Sequence, residues 1–79
     1  MPDIRPMALP DGSVVHSDPE IMGGTPVFVG TRVPVQVLVD HLLGGSTVDE
    51  FLEDFPSVRR AQANAFMEQA TKALLDRVA

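Results

Sequence analysis

Residues 24–34 read Gly24-Thr25-Pro26-Val27-Phe28-Val29-Gly30-Thr31-Arg32-Val33-Pro34, and this stretch decides the fold. Thr25 to Val29 is β-branched and aromatic, the composition of a strand. Pro26 has no N–H to give a ladder, which confines the strand to a sheet edge or places Pro26 at its first position. Gly30 ends the strand, and Thr31-Arg32-Val33 leads out to Pro34. Proline suits the first turn of a helix, where its missing N–H would be unpaired anyway. A strand that feeds straight into a helix points to a small helical binding domain with a short β-arm.

Upstream, Val14-Val15-His16 predicts a second short strand. Ser17-Asp18-Pro19-Glu20 is turn chemistry, since Asp bonds its own backbone and Pro fixes φ. Gly23-Gly24 makes a further break. The strand over 25–29 then has two possible partners. It pairs with Val14-Val15 in a hairpin, or with its own copy across a two-fold axis. A two-stranded ribbon alone is marginal in water, and pairing between copies hides its edges. The expectation is a homodimer whose interface includes Val27, Phe28 and Val29. Arg32 reads as a hydrogen-bonded brace between hairpin and helix in preference to a ligand contact. Residues 1–12 hold three prolines and no periodicity, a flexible or extended arm before a single domain over 13–79.

Downstream, a first helix is predicted over Pro34 to Leu43, with Val35, Leu38, Val39 and Leu42 forming one apolar stripe and Gly44-Gly45 the stop. A second is predicted over Val48 to Phe55. Thr47 and Glu50 have capping-box spacing, and Val48, Phe51, Leu52 and Phe55 repeat the stripe. Asp49, Glu50, Glu53 and Asp54 lie opposite, a solvated acidic face in the plainer reading and a patch for a basic partner in the other. Pro56 stops this helix. A third helix is predicted over Val58 to Arg77 with Ser57 as cap. Ala63, Met67, Ala70, Leu74 and Val78 form its stripe, with Phe66 and Leu75 beside it, and Glu68 and Lys72 make an i, i+4 pair. The step Pro56-Ser57 is short enough for a helix-turn-helix.

The chain has 79 residues, two histidines, no cysteine and a net charge of −5. It forms one small domain that buries only about 60–65% of its unfolded surface, so assembly is a natural source of extra core. No thiolate metal site is possible, and His16 and His41 are too few and too far apart to suggest a metal cage. Metal and cofactor are both expected to be absent. The lack of cysteine suits a reducing cytoplasm. No apolar run reaches the ~18 residues of a membrane span, and Pro2, Asp3 and Pro6 stand where a signal peptide needs a basic and then an apolar stretch. No nucleophile, base and orienter set stands at recognisable spacing. Gly23-Gly24-x5-Gly30 lacks the lysine of a phosphate loop, and the adjacent Asp40 and His41 do not face each other on a helix. The expectation is therefore a non-enzyme.

Charge is unevenly spread. Residues 47–56 carry four acids and no base, whereas 57–79 carry Arg59, Arg60, Lys72 and Arg77 against Glu68 and Asp76. Arg59, Arg60, Gln62 and Asn64 crowd the start of the third helix. Arginine and amide side chains read guanine and adenine edges, and a recognition helix uses its N-terminal residues to do so. These four residues are the candidate DNA-binding set. An ordinary polar face is the alternative, and the acidic helix beside it opposes phosphate approach.

The run Gly24, Pro26, Gly30, Thr31 and Arg32, followed by Gly45, Phe55 and Pro56, resembles domain-of-unknown-function family 433 over about residues 14–75. At the third helix this chain has Val58-Arg59-Arg60-Ala61-Gln62-Ala63 where members often begin with an acid and isoleucine. The resemblance implies an antitoxin-like helix-turn-helix protein, similar to VapB-type partners of PIN-like nuclease toxins. The expected fold is mainly α, a short β-hairpin followed by a three-helix bundle. Two functions follow: an antitoxin-like regulator that binds operator DNA and a nuclease partner, or a protein-interaction module with a degenerate helix-turn-helix and no DNA binding.

Overall fold

The computed structural model describes residues 8–78. Strand β1 (Val15–His16) pairs antiparallel with β2 (Val27–Phe28), Val15 opposite Phe28 and His16 opposite Val27. Helices α1 (Val35–Leu43), α2 (Val48–Asp54) and α3 (Arg60–Val78) follow. The hairpin and the three helices stand in the order that the sequence predicts. Residues 1–7, most of the arm expected over 1–12, lie outside the described residues. Leu9 to Ser13 form a closed turn, with Leu9 N–H donating to the Ser13 carbonyl and Gly12 N–H to that of Leu9, both at 2.8 Å.

Strand β2 has both edges satisfied within the chain. On one side it meets β1, and Val29 N–H donates to the Val14 carbonyl at 2.9 Å. On the other, Phe28 N–H donates to the Val33 carbonyl and Val35 N–H to that of Pro26, with Val27 bridged to Pro34. Pro34 is therefore extended (ψ 138°) and flanks the helix instead of opening its first turn. Val27 and Phe28 are fully buried and Val29 is 3% exposed. The side chains of Val27, Phe28 and Val29, expected at a dimer interface, are thus covered by their own chain. The sequence has no sign that residues 33–35 would close the second edge.

The helix ends are set mostly by local chemistry. Ser46 N–H reaches the His41 carbonyl and Gly45 N–H that of Leu42, a Schellman ending with Gly45 at φ 93°. The Thr47 hydroxyl accepts from Glu50 N–H while the Glu50 carboxylate accepts from Thr47 N–H, each at 3.1 Å, the capping box in full. Upstream, the Asp18 carboxylate accepts from Glu20 N–H at 2.9 Å, the expected Asp turn. α3 departs from expectation. It begins at Arg60, after a connection over residues 55–59, and Ser57 does not cap it. Instead Ala63 N–H donates to the Arg59 carbonyl, and the Gln62 Oε1 accepts from Arg59 N–H at 3.1 Å.

The core joins Phe28, Val33, Leu38, Phe51, Val58 and Ala63. Phe28 is its hub, with its ring centroid 6.2 Å from Phe51 and 5.8 Å from Phe66. In α1, Val37 packs on this cluster where the periodicity pointed to Val39. Val14, Val27 and Val29 are buried outside it, as the two-residue period of a strand dictates for neighbours of an inward Phe28. The stripe of α3 is only half used: Ala63 is buried, Phe66 and Met67 are half-buried, and residues 68–78 are all exposed. Glu68 and Lys72 do not close to an ion pair. On an exposed helix such a contact contributes only ~0.3–0.5 kcal/mol.

Phe28→Ala should destabilise the fold by ~3–5 kcal/mol, a large share of the ~5–15 kcal/mol that holds a small domain together. Urea unfolding followed by circular dichroism reads this directly. A variant that keeps its stability and changes only its sedimentation would return Phe28 to an interface.

Candidate functional site

The start of α3 does not present its four predicted side chains together. Arg59 and Asn64 are exposed. Arg60 is exposed as well, but its guanidinium is paired with the Asp49 carboxylate of α2. Gln62 is 2% exposed and faces inward. Its Nε2 donates to the Val29 carbonyl at 2.8 Å while its Oε1 holds Arg59 N–H. Gln62 is thus a clamp between α3 and the end of β2, where the sequence pointed to a base-reading side chain. An amide seven residues on, Gln69, does related work. Its Nε2 donates to the Gly12 carbonyl at 2.9 Å, and its Oε1 accepts from Val14 N–H at 3.4 Å. The i, i+7 spacing of Gln62 and Gln69 puts both on one face of α3 and is the sequence signal for this pair.

A cleft of about 710 Å³ lies beside the turn Gly30-Thr31-Arg32. Gly30 takes φ 79°, a value that costs an L-residue with a Cβ ~1–2 kcal/mol. Thr31 is the brace that the sequence reading assigned to Arg32. Its buried hydroxyl donates to the Phe28 carbonyl at 2.8 Å and accepts from Val33 N–H at 3.0 Å. That double bond to the backbone fixes the turn. Arg32, between buried Thr31 and Val33, is exposed and bonds to none of the described residues. Ile21, Val29 and Val33 give the cleft apolar walls, while His16 and Ser57 add polar groups.

The remaining polar candidates are dispersed. Asp40 accepts from the Gln36 amide at 2.9 Å. His41 instead stands edge-on to Phe51 and Phe55, with Nε2 4.0 Å from Asp54 Oδ2. Adjacent positions on α1 thus serve different neighbours. Among the described residues no helix is long and apolar enough to cross a membrane.

At the far end, α3 leaves the body of the protein. Leu74 is 58%, Leu75 57% and Val78 74% exposed. With Met67 and Ala70 they continue the apolar stripe past the last residue that packs on the core. The long axis of the molecule reaches 44 Å.

Gln62→Leu should lower stability by ~1–3 kcal/mol, because it strands a buried carbonyl and a helix N–H at once. Asn64→Ala, two residues away and exposed, should change it by no more than ~0.5 kcal/mol. Thermal melts of the two variants side by side test the clamp.

The chain is 47% identical over 45 residues to "Uncharacterized protein y4eO" of Sinorhizobium fredii (strain NBRC 101917 / NGR234), a match that covers 57% of this chain and 20% of that protein. The chain therefore spans about one fifth of that relative's length. No solved structure matches it. The family described as "Protein of unknown function (DUF433)" matches residues 15–70, which include β1, the Gly30-Thr31-Arg32 turn, all of α1 and α2 and the part of α3 that carries both glutamine clamps. The chain belongs to this family.

Proposed function

We propose that this protein is an interaction module that grips a protein partner with the distal half of α3. The observation that carries the proposal is the exposed strip Leu74, Leu75 and Val78 on a helix that outruns its own core. Met67, Ala70, Leu74 and Val78 stand at i, i+3, i+7 and i+11, the anchor spacing of an apolar helix that lies in a groove. Residues 68–78 are exposed, with the Gln69 amide reaching back to Gly12 and Val14, and such a stretch is ~16 Å long and ~10 Å across. Two copies meeting face to face over so small a strip fall short of the ~800 Å² per partner of a stable interface. A groove that wraps the helix covers more of it. The occupant of this role that the family resemblance favours is a PIN-like nuclease, which would make the chain antitoxin-like without catalysis of its own.

Co-expression with a PIN-like nuclease encoded beside the chain should yield a stable complex. Leu74→Glu with Val78→Glu should abolish it while the melting curve of the isolated chain stays unchanged. A complex that survives both substitutions overturns the docking strip, and a genome with no such nuclease alongside overturns the antitoxin-like role.

Operator DNA binding is the second reading, favoured by the exposure of Arg59 and Asn64 at the start of a helix that follows a turn. Its electrostatics are poor: Arg60 is engaged by Asp49, and the chain carries −5. Fluorescence anisotropy against upstream DNA at ~50 mM salt should reveal no saturable binding. Binding that weakens by ~1–3 kcal/mol in Arg59→Ala would establish the regulator reading instead.

A further inference from the structure

We infer that the cleft beside Gly30-Thr31-Arg32 binds a small organic carboxylate with an apolar body, at a site separate from the docking strip of α3. Its volume of about 710 Å³ lies within the ~300–1,000 Å³ of small-molecule sites, which combine apolar walls with a few convergent polar groups. Leu9, Ile21, Val29 and Val33 supply the walls. Arg32 supplies a fixed positive charge, and its guanidinium bonds to no described residue. The turn that carries it is held by both bonds of the Thr31 hydroxyl, so the guanidinium is displayed from a rigid base. The planar fork of arginine matches a carboxylate with two parallel hydrogen bonds.

Two further observations select the ligand's charge and polarity. The chain holds 11 acids, yet among the described residues no Asp or Glu lines this cleft. His16 does line it, and its Nε2 is shut off from solvent with no hydrogen-bond partner among the described residues. A buried polar nitrogen left unpaired calls for a partner, and turning the ring toward the cleft breaks no bond to any described residue. The Ser57 hydroxyl, on the connection between α2 and α3, adds a donor from the opposite side of the sequence. One cation suits a monoanion better than a dianion such as phosphate, and the apolar walls suit a hydrocarbon body over a bare ion.

The test is a nitrogen-15 NMR titration of the whole chain with benzoate, with benzamide and inorganic phosphate as comparison probes. Benzoate should shift the amide signals of Gly30, Thr31, Arg32 and Ser57 in saturable fashion in the millimolar range. Arg32→Gln, at an exposed position, should leave the spectrum folded and weaken benzoate at least about tenfold. His16→Phe should weaken it as well. No saturation by ~20 mM overturns the proposal, as does equal binding of benzamide, equal binding of phosphate, or undiminished benzoate affinity in Arg32→Gln. None of these results touches Leu74 or Val78, so failure here leaves the docking strip standing.

Discussion

Everything in this fold depends on the backbone of residues 26–29 being bonded along both edges. β1 takes one edge and residues 33–35 take the other. A strand of two residues has no intrinsic stability. Closed on both sides, it becomes a rigid centre that sets where each neighbour points. Phe28 goes toward the helices, where Phe51 and Phe66 meet its ring. The turn that follows is drawn tight by Thr31, which is why Arg32 is directed outward. The Val29 carbonyl at the end of the strand is then left for a side chain to satisfy, and Gln62 of α3 does so. Hairpin, core and third helix are thus tied through one short segment.

What the sequence discloses is what is decided locally. The Asp18 turn, the capping box of Thr47 and Glu50 and the glycine ending of α1 each involve residues two to five apart. Their chemistry is the same in any fold. The stripe of α2 is legible for the same reason, and that of α1 except that Val37 packs on the core where the spacing points to Val39. Gln62 and Gln69 were not, because their partners lie 33, 55 and 57 residues away. An amide at a helix start looks alike in sequence whether it reads a base or fills a backbone. The second edge of β2 was missed because a proline-containing exit reads as the opening of a helix. Its isolated bridge to Val27 arises only once the turn has folded back. The apolar stripe of α3 is legible as a pattern, but only its first part packs on the core, since periodicity gives a face and not what covers it.

The candidate sites divide along that same line. The polar start of α3 looked like one functional surface and is instead split among a clamp, a surface ion pair and two exposed side chains. In the Gly-Thr-Arg turn the bracing expected of Arg32 falls to its neighbour. Threonine holds the turn and arginine is displayed by it. The neutral hydroxyl makes the bonds to the backbone here, and the Arg32 guanidinium bonds to none of the described residues.

The length of α3 has a consequence for its own formation. A helix is costly to start and cheap to extend. Here the start is supplied by the folded body, since Gln62, Ala63 and Phe66 fix the first turns against the hairpin and core. Gln69 is tied back to Gly12 and Val14, and the nine residues beyond it, 70–78, would be too short to hold helical shape as a free peptide, being below the ~12–15 residues at which isolated helices become marginal. Grown from an existing nucleus, they are held helical by extension from the packed turns before them, and present an already formed rod.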